Sequence, residues 1–378
     1  MNNMRLSNFV TGIASLCVIF LVSSYSFNNM VNEPRLYDGT VNDLGRYSFT
    51  FDAYDHIKED SEDSIIALGS SKMREIFDGH LIDEYTEFDG AYYNLAYASD
   101  RPYVRMIEID ALIQANPKLV MIEIGPNMFS SLADPVPDST LSRMTQLMAL
   151  NTEWHDATWD TIVTDEDRKV LPDNRIKQLE YFSTISITSF ESTIAYSLGF
   201  DEPPYSCDTD WGTVHCVPLP SDPLYEDYVK YPIQFRNSLK VIKAGDAKYT
   251  IEEFHGERLD NYLSRSYHNP EGVTNKNQIA FEFMIESLIA KNIPVMLVNL
   301  PYNPVLIDRL SEGQWDYLNT TMESYSTKYD VDIVDYMWSN NMIDDDFNDF
   351  THAARTGEVK FAEFIAPHID DFIGLEQT

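Results

Sequence analysis

The chain has 378 residues, enough for one large core or two modest ones, and its 44% hydrophobic and 13% aromatic content is that of a folded protein. Its charge is lopsided: 27 Lys+Arg against 61 Asp+Glu gives −34 at pH 7. A surface of that sign repels phosphate backbones and argues against a nucleic-acid partner; most of it reads as a solvated acidic face.

Residues Phe9 to Phe27 form an uncharged apolar run, preceded by Arg5 and followed by Glu33 and Arg35. About 19 residues just suffice for a membrane-spanning helix. The alternative is a cleaved signal peptide, since Ser23, Ser24 and Ser26 are small. No alanine-type cleavage site stands out, and Cys17 follows Leu16, unlike a lipoprotein signal, so an uncleaved anchor is the preferred reading of residues 1–30. Either way the remainder is exported, with the N-terminus held inside by Arg5. Residues 31–62, with Pro34, Gly39 and Gly45, read as a tether.

A regular alternation then begins and occupies 63–378, apart from one interruption. Ser64–Gly69 predicts a buried strand, Ser71–Tyr85 a helix, Ala91–Ala96 a strand, Tyr103–Ala115 an amphipathic helix stopped by Pro117, and Leu119–Gly125 a third strand. From about 130 to 270 the rhythm fails among many prolines and aromatics. That stretch is too long for a plain loop and reads as an insertion, helical near Ser139–Leu150 and Ile176–Tyr196. The rhythm resumes with a helix at Gln278–Ala290, a strand at Pro294–Leu300, a helix at Val305–Lys328, a strand at Val331–Val334 and a last helix at Gly357–Phe372. The expectation is an α/β fold, a five-stranded parallel sheet with helices on both faces and a long insertion after the third strand.

Three cysteines occur. Cys17 lies in the apolar run, while Cys207 and Cys216 flank a polar loop inside the insertion. Export permits a Cys207–Cys216 disulfide. The rival, a metal site with the neighbouring His215, is a poor zinc set.

Three short stretches carry the chemistry. IIALGSS (Ile65–Ser71) and VMIEIGPN (ending at Asn127) are apolar runs that stop at glycine and then present polar residues. DFTH places Asp349 three residues before His352, and no other histidine has an aspartate at that spacing. In an open parallel sheet such groups gather at the carboxyl ends of the strands. Ser71 would be the nucleophile, His352 its base and Asp349 the group orienting the imidazole. The side-chain amide of Asn127 and backbone N–H groups near Ser71 and Ser99 would hold the oxyanion. Each piece has a plain reading too: Ser70 or Ser71 as a helix cap, Asn127 as a turn residue after Pro126, Asp349 as one more member of the acidic run Asp344–Asp346.

This ordered set resembles the SGNH (GDSL-type) hydrolase superfamily. GSS stands where the family has GDS, which matches Ser71 to the nucleophile. Ser99, five residues after Asn94, falls on the usual glycine. Asn127 matches the third block, and Asp349 with His352 the last, followed by a closing helix in TGEVKFAEFIAPHI. The likeness covers about 64–129 and 275–372 and leaves the insertion out. It implies a flavodoxin-like three-layer sandwich, a covalent acyl-serine mechanism and no cofactor or metal. Two positions depart from the pattern: Ser99 replaces glycine, and Met128 replaces an aspartate that supports the asparagine. The anchor, the GSS turn, an NLA-type second block and NLPYNP resemble a subgroup that adds or removes acyl groups on cell-envelope polymers. That likeness implies an acylated surface glycan or small ester as substrate, and it admits a membrane protein that donates acyl groups as partner. Two other readings stand beside it: a non-catalytic envelope scaffold or glycan-binding module, motivated by Ser99 and Met128, and a lipase-like esterase on membrane lipids, with the insertion as lid.

Overall fold

The structure is a computed structural model. It describes residues 10–16, 18–19, 54–55, 57–58, 63–96, 100–125, 128, 136, 144, 162–170, 275–309, 312–339 and 341–374.

Five parallel strands form one sheet in the order β2-β1-β3-β4-β5: β1 (Ser64–Leu68), β2 (Ala91–Asn94), β3 (Leu119–Ile124), β4 (Val295–Asn299) and β5 (Asp332–Asp335). Strands β1 and β3 are buried at every position, as strands covered on both faces must be, which is why they read as apolar runs. Strand β5 is an edge, only partly buried and bracketed by Asp332 and Asp335, charges that discourage pairing with another chain.

Side chains alternate between two cores. Ile65, Ala67, Met121, Met296 and Val298 face one layer, made of α1 (Ser71–Ile76), α2 (Gly79–Asp83) and α10 (Arg355–Ile373). Ile66, Leu68, Val120, Ile122, Ile124 and Leu297 face the other, made of α3 (Pro102–Arg105), α4 (Ile109–Ala115), α6 (Lys276–Ile289) and α8 (Glu312–Tyr329). The fold is therefore a three-layer α/β sandwich of flavodoxin-like strand order. In that order the chain leaves β1 in one direction and later crosses back to β3, so a crevice opens beyond the carboxyl ends of β1 and β3.

Local differences from the sequence reading have identifiable causes. The helix expected over Ser71–Tyr85 ends at Ile76. Asp78 adopts an extended backbone and caps α2 by accepting from the N–H groups of His80 and Leu81 at 3.0 and 3.4 Å. The helix expected over Tyr103–Ala115 tightens to a 3-10 turn at Met106–Glu108, then closes on Asn116 in the left-handed region (φ 50°) just before Pro117. The helix expected over Val305–Lys328 is two pieces, α7 (Pro304–Ile307) and α8, parted by a turn at Asp308–Arg309. A short helix, α9 (Tyr336–Ser339), follows β5.

From the insertion, the described part is chiefly 162–170 with α5 (Asp165–Val170). Ile162 and Val163 join the second core. Asp167 accepts from Lys276 Nζ at 2.7 Å and from Tyr103 Oη at 2.9 Å, a buried tie to the start of α6. Cys207, Cys216 and His215 lie outside the described residues, as do both predicted helices of the insertion apart from Met144. In the apolar N-terminal run, 10–16 and 18–19 are helical and exposed. No helix among the described residues is long and apolar enough to cross a membrane.

Candidate active site

The turn after β1 is Gly69–Ser70–Ser71, and the two serines take different tasks. Ser70 is the N-cap of α1: its Oγ accepts from Lys72 N at 3.3 Å and donates to Glu123 Oε1 at 3.0 Å. Ser71, the first residue of α1, points its Oγ at His352 Nε2, 2.7 Å away. These residues are 281 positions apart in sequence.

The other ring nitrogen, His352 Nδ1, lies 2.6 Å from Asp349 Oδ2. Asp349 Oδ1 accepts from the backbone N–H groups of Thr351 and His352, each at 2.8 Å. One carboxylate thus folds its own loop and aims the imidazole. Burial by itself would raise the Asp349 carboxyl, but the adjacent imidazole and these hydrogen bonds outweigh it and hold the group below the usual carboxylate range. An ionised carboxylate beside Nδ1 favours the tautomer that carries its proton there, the one in which Nε2 can accept from Ser71. The imidazole side chain is 30% exposed and that of Asp349 18%, so the pair is open to solvent.

The loop carrying these residues is pinned from several sides. Asn303, from the NLPYNP segment after β4, donates its backbone N–H to Phe350 O at 3.1 Å and its side-chain amide to Asp344 Oδ1 at 2.7 Å. Asn348 N donates to His352 O at 2.8 Å, and Phe347 bridges Ala353. Asp346 is tied to α10 by Lys360 Nζ at 2.7 Å. The acidic run therefore splits: Asp344 and Asp346 hold the loop, and Asp349 is no member of a merely solvated face.

Helix α1 is fixed at its far end too. The Asn94 side-chain amide, buried where β2 ends, donates to Arg74 O at 3.0 Å and Phe77 O at 2.7 Å. Those are the carbonyls a six-residue helix leaves without internal partners.

Ser99 and Asn127 lie outside the described residues, but the chain on either side of each is held. Arg105, 2% exposed, donates through Nε and Nη2 to Asp100 Oδ2 at 3.0 and 2.9 Å, and through Nη1 to Leu95 O at 3.0 Å and Glu108 Oε2 at 2.9 Å. A single guanidinium so grips both ends of the segment that includes Ser99. Beyond β3, Met128 N donates to Gly125 O at 3.0 Å. Met128 is 2% exposed, a packing residue where the resembled family has a carboxylate.

Sequence reading passed over four residues that shape this site: Lys72, Glu123, Asp100 and Arg105. The signal was present for Glu123, a lone carboxylate in the otherwise apolar VMIEI. It is fully buried; its Oε2 accepts from Ser70 N at 2.6 Å and its Oε1 lies 3.0 Å from Lys72 Nζ. No cluster of three or more His, Cys, Asp or Glu able to hold a metal occurs among the described residues.

Comparison with protein-family models and with curated proteins gives no match. Among solved structures, the crystal structure of a Bacteroides fragilis protein proposed to be an acylhydrolase is similar, with 11% identity over 85% of this chain and 95% of that one, at a TM-score of 0.36. The α/β fold itself stands on the sheet order.

Proposed function

We propose that the protein is a serine esterase or O-acyltransferase of SGNH type, working through Ser71, His352 and Asp349. The supporting observation is the unbroken Ser71 Oγ to His352 Nε2 to Asp349 contact, at 2.7 and 2.6 Å, assembled from opposite ends of the sequence. Ser71 Oγ attacks the ester carbonyl carbon while its proton passes to His352 Nε2. The carbonyl oxygen becomes an oxyanion, held by the Ser71 and Ser99 backbone N–H groups and the Asn127 amide. Collapse expels the alkoxide, which takes the proton from His352 and leaves an acyl-serine. Water then completes hydrolysis, or a sugar hydroxyl completes transfer, by the same steps in reverse.

The substrate class we propose is an ester-linked acyl group on a cell-surface glycan, with the domain tethered outside the membrane by the apolar N-terminal run. A neutral glycan fits best, because a chain of net charge −34 repels anionic polymers. A membrane protein could donate the acyl group, as in the subgroup the sequence resembles.

The test is labelling of the full chain with a fluorophosphonate. Wild type should label and Ser71→Ala should not. A folded wild type that never labels would sink the reading in favour of a non-catalytic scaffold. Release of acetate from an acetylated neutral glycan, set against release from an anionic one, checks the substrate class.

A further inference from the structure

Resting on the proposed acyl-serine chemistry, we infer that the buried pair Glu123–Lys72 consists of positioning residues that set the nucleophile's turn.

One carboxylate holds both sequence neighbours of Ser71. Ser70 is bound through its backbone N–H and its hydroxyl, at 2.6 and 3.0 Å, and Lys72 through its ammonium at 3.0 Å. Gly69, one step earlier, leaves no space on that side: a Cβ there would meet Glu123 Oε2 at 2.7 Å. The turn is therefore wrapped on Glu123 from Gly69 to Lys72, with Ser71 alone facing outward to His352. Glu123 also belongs to β3, two residues before Gly125 and four before Asn127.

The ion pair is a costly choice if stability alone is served. Glu123 and Lys72 side chains are 0% and 3% exposed, and a buried ion pair is often matched or bettered by apolar residues of equal volume. Lys72 also sits in the first turn of α1, where the helix field disfavours a cation. Its ammonium lies 4.0 Å from the Tyr302 ring centre. The Glu123 contact lacks the angle of a directed hydrogen bond, and Lys72 Nζ has no hydrogen-bond partner among the described residues. What Lys72 supplies is positive charge beside a carboxylate. Without it, the bare negative charge of Glu123 would stand next to the nucleophile and oppose the oxyanion as it forms.

The experiment compares fluorophosphonate labelling rate constants and melting temperatures for wild type, Glu123→Asp, Lys72→Met and Lys72→Arg. Glu123→Asp keeps the charge but draws the carboxylate back from Ser70. It should slow labelling by about tenfold to a hundredfold, as expected of an ångström-scale misplacement. Lys72→Met should slow it comparably, and Lys72→Arg should recover most of the rate, because charge rather than bulk is needed. Should Lys72→Met fail to fold, Glu123→Asp carries the test. Variants that melt lower yet label at the wild-type rate make the pair merely structural and overturn the inference alone, as does Lys72→Arg labelling no faster than a folded Lys72→Met. A wild type that never labels overturns it together with the proposed function.

Discussion

Gly69 and Glu123 face each other across the paired strands β1 and β3 so closely that a Cβ on Gly69 would stand 2.6 Å from the Cβ of Glu123. It would also stand 2.8 Å from the Cβ of Met73. Neither neighbour offers a flexible end that could swing away, so the backbone itself would have to give. Gly69→Ala should destabilise the fold by about 1–3 kcal/mol, the usual range for overpacking, and displace Ser71 from His352. Urea denaturation and labelling together check this. An alanine variant with wild-type stability and labelling would mean that the turn relaxes freely, and the close wrap on Glu123 would lose its significance.

The adjacent serines separate cleanly by experiment. Ser70→Ala removes the cap of α1 and one bond to Glu123, while the backbone bond from residue 70 remains. It should cost about 1 kcal/mol of stability and leave most of the labelling. Ser71→Ala should leave stability nearly unchanged and abolish labelling. The reverse pattern would place the nucleophile at Ser70 and contradict the contact with His352.

The sheet was legible because its strands are buried on both faces. Runs such as IIAL and VMIEI have no alternative burial, and the glycines that end them mark the strand ends where Ser71 and Asn127 follow. The pairing of Asp349 with His352 was legible from spacing, since a carboxylate can reach back to the imidazole and the two N–H groups that follow it. Side chains whose partners lie far away in sequence were not legible. Arg105 reads as an ordinary helix residue until the fold brings Leu95 and Asp100 to it, and Lys72 reads as solvent-exposed until Glu123 arrives from β3. Helix ends were missed for the same reason: nothing near Ile76 announces that Asn94 will take up the carbonyls of Arg74 and Phe77.

Arg105 holds two buried carboxylates, and Asp100 shows the strain of that arrangement. Burial, opposed by Arg105 and aided by Glu108, pushes Asp100 up to about 6. A folded-state value above the unfolded one means that this group's contribution to stability is complete below about 4 and is lost as pH rises through about 6. Arg105→Met takes the cation away from both buried carboxylates, leaving Glu108 its Tyr54 hydroxyl donor at 3.0 Å and Asp100 the Arg101 N–H at 2.8 Å, and should cost about 3 kcal/mol or more. The cost should be larger at pH 8 than at pH 5, because a protonated Asp100 no longer needs the cation. A loss independent of pH would argue against burial of that charge.

Glu358 offers an independent check on the α10 side. Burial, partly offset by Arg355, pushes its carboxyl up to about 7, although Arg355 Nη1 donates to it at 2.9 Å. The sign is the same: stability from this group is present below its unfolded value and falls as pH rises through about 7. Glu358→Gln removes the buried charge and should raise the melting temperature at pH 8 by a few degrees, the equivalent of about 1 kcal/mol, with little change at pH 5. Arg355 retains Asp78, at 2.7 Å, as its partner. A variant that melts lower at pH 8 would show that the Glu358 ion pair outweighs its burial.

Asn127 separates a catalytic amide from a turn residue. It follows the last residue of β3 by three positions in sequence, and its neighbour Met128 donates its N–H to Gly125 O at 3.0 Å. If its side chain donates to the oxyanion, the bond matters most where charge develops. Asn127→Ala should then lower kcat on an aryl acetate by about a hundredfold or more, the usual loss for one oxyanion donor. KM should change little, because the ground-state carbonyl accepts a weaker bond than the oxyanion does. Circular dichroism and the melting temperature should match wild type, since Pro126 and the Met128–Gly125 bond survive the change. Ser99 contributes only a backbone N–H in this scheme, so Ser99→Gly should retain activity and Ser99→Ala should not resemble Asn127→Ala. A folded Asn127→Ala enzyme with full turnover would make the asparagine structural, remove the side-chain donor from the proposed oxyanion site, and take with it much of the likeness to SGNH hydrolases.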